Sequence, residues 1–316
     1  MIEIREFNWK DEEGIRGLFL NCFGKEMSHE EWVWKYKKSP WGSTAIIAMD
    51  GNNVIAHYGG IKMKFSFKDK ILTSYQFCDV MTHPEYRGLF VSKSPIIVKL
   101  GEMFYKKNEM DFAFGFPSVR HAKLQSLRLG GEGYKFVKLY KKVKFRRHYR
   151  GLFLKIEDDW SYFFKHGIPQ EYFERPEQIF KMIKNNNYIE WRYYQSPKKK
   201  YRLLMIKKYN MLKGFVVVTI NGKWLEILDV FVKEMSFFKD LIISIEKYAF
   251  IKLKKIEGIK AWFHPSEKVN SLLRELGFES EDNIPIAFKA VNKEYGITSD
   301  IFYNNYYYRM GDYDAS

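Results

Sequence analysis

The chain carries the same short signature twice. "WKYKKSP" at Trp34 to Pro40 returns as "WRYYQSP" at Trp191 to Pro197, an offset of 191 − 34 = 157 in 316 residues. "CDVMTH" and "LDVFVK" align Asp79 with Asp229, an offset of 150. "FGFPSVRHAKLQSLRLGG" and "AWFHPSEKVNSLLRELGF" pair Pro117 with Pro265 at 148. Three matches in one order, with slowly drifting offsets, predict two copies of a single folding unit. The boundary falls in "KFRRHYRGLFLKIEDD", which gives domains over 1–148 and 155–316.

Each copy reads as mixed α/β. "IEIREF" alternates as a strand does. "WKDEEGIRGLFLNCFG" sets Ile15, Leu18 and Cys22 at helical spacing, with Asp11 as the expected cap, and "HEEWVWKYKKSP" is a second helix stopped by Pro40. "TAIIAMD", "VIAHYGGIKMKFSF" and "ILTSYQFCDVMTH", joined by the turns "GNN" and "KDK", predict a three-stranded antiparallel meander. A helix from Ile96 to Tyr105, the strand "DFAFGFP", the helix "SVRHAKLQSLRLGG" and the strand "GYKFVKLYKKVKF" complete the first copy. The second runs to "IFYNNYYYRM", read as a strand. It either lacks the leading strand and helix or holds them irregularly in 155–175.

Composition narrows the classes. Hydrophobic residues are 46% of the chain and aromatics 18%, enough for a substantial core, so wholesale disorder is excluded. No stretch approaches the roughly 18 to 20 consecutive apolar residues of a membrane span. The start lacks the layout of a secretory signal. Two cysteines, Cys22 and Cys78, exclude a disulfide framework and a cysteine-rich zinc site, no metal site is expected, and the thiols suit a reducing cytoplasm. The net charge of +15 would suit nucleic acid or another anionic ligand. Its basic runs are scattered, however, which is the pattern of solvated lysines.

The segment "DVMTHPEYRGLFVSK" sets a polar turn with Arg87 and Gly88 between a strand and a helix, a frequent cradle for phosphate. Together with the opening "IREFNWKDEEGIRGLFLNCFG" and "FGFPS…LRLGGEGY", this order of elements resembles the GNAT acyltransferase family. The resemblance covers roughly residues 1–140 directly and the second copy through the repeat. It implies two tandem GNAT-like domains, each a mostly antiparallel mixed sheet flanked by helices. It also implies acetyl-coenzyme A as co-substrate and an N-acetyltransferase acting on a primary amine of a small molecule. The aromatic content suits an amino sugar.

By the same resemblance, Met81, Thr82, Arg87, Gly88, Leu89, Phe90, Val91 and Ser92 would hold the cofactor, with a backbone N–H, that of Met81, facing the thioester carbonyl. The family pattern places Arg87 and Gly88 well, but its next glycine falls on Phe90 and its last small position on Ser92; alternatively "LFVSK" already belongs to the helix. The tyrosine that many members use as acid is replaced by Ser126, and by Leu273 in the second copy. Candidate bases are Asp79, His83, Glu85 and His121, although recurrence of Asp79 as Asp229 favours a structural role for it. Tyr75 and Phe77 read as core or acceptor wall, and His264 as a surface histidine.

Two rival readings are a peptidyltransferase fed by aminoacyl-tRNA, whose tandem folds generally lack the Arg-Gly loop, and a non-catalytic binding protein. The second copy is expected to bind no cofactor. "DVFVKEMSFFKDLIISI" has no glycine, Met235, Phe237 and Phe238 fill its turn, and Glu234 and Asp240 would repel a pyrophosphate. The tail "YYYRMGDYDAS", with Asp312 and Asp314, is a candidate to return to the first copy's active site, as in some tandem members.

Overall fold

The computed structural model describes residues 1–91, 93–143, 145, 154–158, 160–174, 179–253, 255–265 and 268–313. Most of the expected boundary, "KFRRHYRGLFLKIEDD", lies outside them. In chain order the elements begin β1 (Ile2–Glu6), α1 (Glu12–Phe23), α2 (His29–Trp32), β2 (Ser43–Asp50), β3 (Asn53–Phe67) and β4 (Lys70–Thr82). They continue β5 (Phe90–Val91), β6 (Ser94–Pro95), α3 (Ile96–Lys107), β7 (Phe112–Gly115), α4 (Val119–Arg128) and β8 (Tyr134–Lys142). Next come β9 (Leu154–Asp158), α5 (Trp160–His166), β10 (Phe180–Met182), α6 (Asn186–Ile189), β11 (Arg202–Lys208), β12 (Met211–Asn221) and β13 (Trp224–Val232). The chain closes with α7 (Phe238–Lys252), β14 (Gly258–Trp262), α8 (Val269–Glu275), β15 (Glu279–Ala290) and α9 (Ser299–Asn305).

Two compact units result. The first takes Met1–Lys135, Gln195–Lys198 and Ile284–Tyr303; the second takes Phe136–Tyr194, Lys199–Asn283 and Asn304–Ser316. In the first, strands β1 to β4 pair antiparallel in sequence order, β4 pairs β7 in parallel, and residues 287–290 of β15 run antiparallel to β7. In the second the order is β8-β14-β13-β12-β11-β9, with β13 and β14 parallel. The last strand of each sheet therefore comes from the other half of the sequence. Because β7 and β14 are repeats of one strand, either final strand finds an equivalent edge to complete, the condition under which units exchange elements.

The repeated signature has a repeated structure. Ser28 caps α2 by accepting from the Glu31 N–H at 3.1 Å, and Asn185 caps α6 by accepting from the Tyr188 N–H at 2.9 Å. The caps are 185 − 28 = 157 residues apart, the offset of the tryptophans themselves. Both helices run on into a π-helical turn, Val33–Lys37 and Glu190–Tyr194, whose Trp34, Tyr36, Trp191 and Tyr193 are buried. Three consecutive large residues are buried in each turn, Trp34 to Tyr36 and Trp191 to Tyr193.

Several local expectations need correction. Asp11 does not cap α1 with its side chain; it accepts from both Arg5 guanidinium nitrogens at 2.7 and 2.8 Å and from the Asn8 N–H. Leu89, Phe90, Val91 and Lys93 belong to no helix, for Phe90–Val91 and Ser94–Pro95 pair as a small hairpin and α3 begins at Ile96. "IFYNNYYYRM" is not a strand. Thr298 accepts from the Ile301 N–H at 3.3 Å and nucleates α9, so a cap overrides aromatic strand propensity. Residues 155–175 hold most of a strand, β9, and the short helix α5. Tyr75 and Phe77 pack on Phe104 in the first unit's core, and His264 is buried beneath Tyr307, with ring centroids 5.2 Å apart.

Candidate functional site

The first unit's site starts where its parallel pair parts. The ladder between β4 and β7 spans only Ser74–Phe77 and Phe112–Gly115, while β4 runs on to Thr82. The two strands thus part after Phe77. A β-bulge follows at once: His57 faces Met81 and Gly59 faces Cys78, so Asp79 and Val80 together stand opposite Tyr58. Beyond it a cavity of about 590 Å³ opens, within the range of ligand pockets.

Its walls come from five segments. The end of α1 gives Cys22 and Phe23, the end of β4 gives Val80, Met81 and Thr82, the loop gives Tyr86 to Phe90, and α4 gives Arg120, His121, Lys123, Leu124 and Leu127. The N-terminus of α3, at Pro95, Ile96 and Ile97, closes the remaining side. Pro95 gives that helix no side-chain cap, the Ile96 N–H donates to the Leu89 carbonyl at 3.0 Å, and the positive end of the helix dipole borders the cavity. Gly88 has φ +98°, in the left-handed region that favours glycine, and it turns the loop tightly after Arg87. Arg87, Arg120 and Lys123 line the space together with no carboxylate among the described lining residues. An anion is the ligand such a wall selects.

Strand polarity decides which backbone group faces inward. The His83 N–H donates to the Ile55 carbonyl at 2.8 Å. Such pairs recur at every second residue of an antiparallel ladder, which turns Met81, opposite His57, toward β3. Thr82 faces the other way. Its carbonyl accepts from Cys22 Sγ at 3.3 Å and Arg87 Nε at 3.4 Å, and its N–H shares that edge.

Of the sequence-derived residues, Met81, Thr82, Arg87, Gly88, Leu89 and Phe90 share this cavity. Val91 sits in the small hairpin, and Ser92 lies outside the described residues. His121 lines the cavity, with an Nε2 that is buried and has no hydrogen-bond partner among the described residues. Burial pulls its ring down to about 4, so it is neutral at physiological pH. His83 caps the turn at Pro84, accepting from the Glu85 N–H at 3.4 Å, and Glu85 is exposed; neither is in the wall. Ser126 donates to the Ala122 carbonyl at 3.2 Å and Leu273 is core, so neither stands in for a catalytic tyrosine.

Asp79 is also outside the wall. Its Oδ1 lies 2.8 Å from Lys35 Nζ, its Oδ2 accepts from Tyr36 Oη at 2.7 Å, and its backbone carbonyl is 2.7 Å from His57 Nδ1. Burial alone would raise this carboxyl, but the Lys35 charge and hydrogen bond, helped by Tyr36, hold it below the usual carboxylate range. It is a fixed anion, unsuited to shuttle a proton. Cys22, Arg120 and Lys123 are residues the sequence reading missed. The pair of cations three apart on one helix was the available signal.

The second unit differs. Its small cavity of about 50 Å³ lies beside Lys184, Asp229, Arg309 and Asp312, away from the turn after β13. Phe238, Leu241 and Ile242 of α7 are packed into the core where the first unit has its glycine turn and open helix end.

A mixed sheet whose parallel pair parts beside a glycine turn and an open helix N-terminus, lined by cations, is the architecture of the GNAT fold. Residues 3–122 match the family model described as "Acetyltransferase (GNAT) domain". Solved structures agree over most of the chain. A conserved Enterococcus faecalis protein of unknown function, described as a probable N-acyltransferase, superposes with a TM-score of 0.68 at 13% identity, covering 92% of this chain and 72% of its own. GCN5-related N-acetyltransferases from Anabaena variabilis (TM-score 0.63, 11% identity, 92% and 73% covered) and Kribbella flavida (0.59, 14%, 92% and 71%) share the fold. No curated protein matches the chain in sequence. Among the described residues no helix is long and apolar enough to cross a membrane.

Proposed function

We propose that the protein is an acyl-coenzyme A-dependent N-acyltransferase of the cytoplasm, moving acetyl from acetyl-coenzyme A to a primary amine of a small molecule. The observation that carries this reading is the cavity with Arg87, Arg120 and Lys123 around the Gly88 turn and no carboxylate among its described lining residues. These residues fit a pyrophosphate: the glycine turn lets backbone approach the phosphates, and the α3 N-terminus adds favourable partial charge. Acetyl-coenzyme A supplies an activated thioester when bound.

The chain's own groups then have distinct tasks. Arg87, Arg120 and Lys123 hold the phosphates by charge. The edge of β4 at Thr82, freed from β7, offers its N–H toward the carbonyl oxygen, where a preorganised donor stabilises developing negative charge. Met81, Leu124 and Leu127 keep that space apolar and exclude water. The neutral His121 lines the cavity with its Nε2 buried, so the ring shapes the wall rather than taking a proton, and the site favours an amine that arrives already neutral.

The test is direct. Acetyl-coenzyme A should raise the melting temperature of the purified chain in a manner that saturates with concentration. An unchanged melting temperature at millimolar ligand would favour the binding-protein or aminoacyl-tRNA readings instead.

A further inference from the structure

Asp79 combines two features that its repeat partner does not. It is a non-glycine residue at φ +49°, inside the left-handed region, whereas Asp229 has no positive φ. Yet both carboxylates are held in the same manner. Tyr36 donates to Asp79 at 2.7 Å and Tyr193 to Asp229 at 2.8 Å, and each aspartate also takes a buried lysine, Lys35 at 2.8 Å or Lys184 at 2.7 Å. The hydrogen-bonded cluster is therefore part of the folding unit itself. The backbone strain is confined to the copy that has the large cavity.

Strain of this kind persists only where its surroundings over-determine it, and an observed outlier of this kind points to function. Here the surroundings are visible. Lys35 and Tyr36 come from the π-helical turn behind the sheet, and His57 holds the carbonyl of the same residue from β3. Together they fix the residue at which β4 leaves its regular path. The next three residues, Val80, Met81 and Thr82, all line the cavity, while Cys78 and Asp79 do not.

We infer that Asp79, clamped by Lys35 and Tyr36, is a positioning residue that sets the end of β4 against the acyl-pantetheine arm of the donor. This rests on the acyltransferase reading. The clamp touches neither donor nor acceptor; it acts through the strand. Its effect should fall on the thioester half of the ligand and spare the nucleotide half, which meets the Arg87–Phe90 loop.

Tyr36→Phe is the mildest probe, since it removes the short hydrogen bond to Asp79 and the longer one with Cys78 Sγ at 3.7 Å, and keeps the ring stacked on Trp32 at 4.1 Å. Calorimetry would compare acetyl-coenzyme A with adenosine bisphosphate, the nucleotide half of coenzyme A, on wild type, Tyr36→Phe, Asp79→Asn and the second-unit control Tyr193→Phe. The expected result is about a tenfold loss of acetyl-coenzyme A affinity in Tyr36→Phe, the worth of one well-placed hydrogen bond, with adenosine bisphosphate unaffected. Asp79→Asn should lose more, and Tyr193→Phe should lower stability without changing either affinity. Equal losses for both ligands, or unchanged affinities in the two first-unit variants, would overturn the inference and leave Asp79 merely structural. A wild-type chain that binds neither ligand would instead overturn the acyltransferase reading on which the inference stands.

Discussion

The guanidinium of Arg192 donates to the backbone carbonyl of Gly311 at 3.0 Å, tying the end of the chain into the second unit. Arg192 stands at the repeat position of Lys35, since 192 − 35 = 157. In the first unit that position neutralises the strand aspartate; in the second it is diverted to the tail, and Lys184 bridges Asp229 and Asp312 instead, at 2.7 and 2.5 Å. Asp312 also accepts from Tyr306 Oη and the Arg309 N–H. The chain as far as Tyr313 is thus anchored in its own unit. Asp314, named with Asp312 as a candidate for the first copy's site, lies outside the described residues.

Gly311 leaves no room for a side chain. An added Cβ would stand 2.0 Å from Tyr193 Oη and 3.0 Å from the Leu228 carbonyl. Gly311→Ala should destabilise the chain by about 1–3 kcal/mol, as overpacking of a filled site does. Urea denaturation would measure it, and a midpoint equal to wild type would show that the tail is looser than described.

Deleting residues 309–316 removes Asp312 and leaves Lys184 buried beside Asp229 alone. Breaking such a buried network costs on the order of 3–5 kcal/mol. The deletion should therefore lower the melting temperature clearly. Equal stability of the truncated and full chains would contradict the anchoring.

Much of this architecture was legible because its markers are local. Trp34 and Trp191, each followed by Ser-Pro, carry the repeat, and the meander shows in its alternation and turns. The exchange of final strands was not legible. β8 and β15 are both plausible edge strands, and nothing within either sequence says which repeat of the partner strand it will meet. The loop half of the site could be read from Arg87 and Gly88. The other half could not, because Cys22 reaches Thr82 from 60 residues away in the chain and His121 from 39, contacts that only tertiary packing makes. The left-handed backbone at Asp79 was invisible for the same reason: a bulge is a property of the pairing.

His121 links stability to pH. Its folded-state pKa, about 4, lies below the ordinary value of 6.5, so between these values the unfolded chain binds the additional proton. Stability from this group is therefore complete above pH 6.5 and is lost as pH falls toward 4, by roughly 3 kcal/mol at most. His121→Gln should flatten the stability profile across that window. Identical acid-side slopes for variant and wild type, in denaturation at pH 5 and 7, would show the ring to be solvated.

Lys142 and Glu246 form a second buried pair, 2.8 Å apart, with exposures of 4% and 1% that leave water no access. Glu246→Gln leaves the ammonium uncompensated and should cost about 3–5 kcal/mol. The double change Lys142→Met with Glu246→Leu should recover most of it, since two apolar groups carry no unpaired charge. A double-mutant cycle by denaturation would decide, and additive losses would refute the pairing.

The central claim is that one unit, the first, holds the cofactor. It rests on the contrast between the first unit's cavity of about 590 Å³ beside Arg87 and Gly88, and the second unit's turn after β13, where Phe238, Leu241 and Ile242 of α7 are part of the core. Calorimetric titration of the full chain with acetyl-coenzyme A tests it most directly. The account predicts one equivalent per chain, abolished by Arg87→Glu, which reverses charge at the loop. Two equivalents, or one equivalent that survives Arg87→Glu and disappears when residues 233–240 are altered, would contradict it.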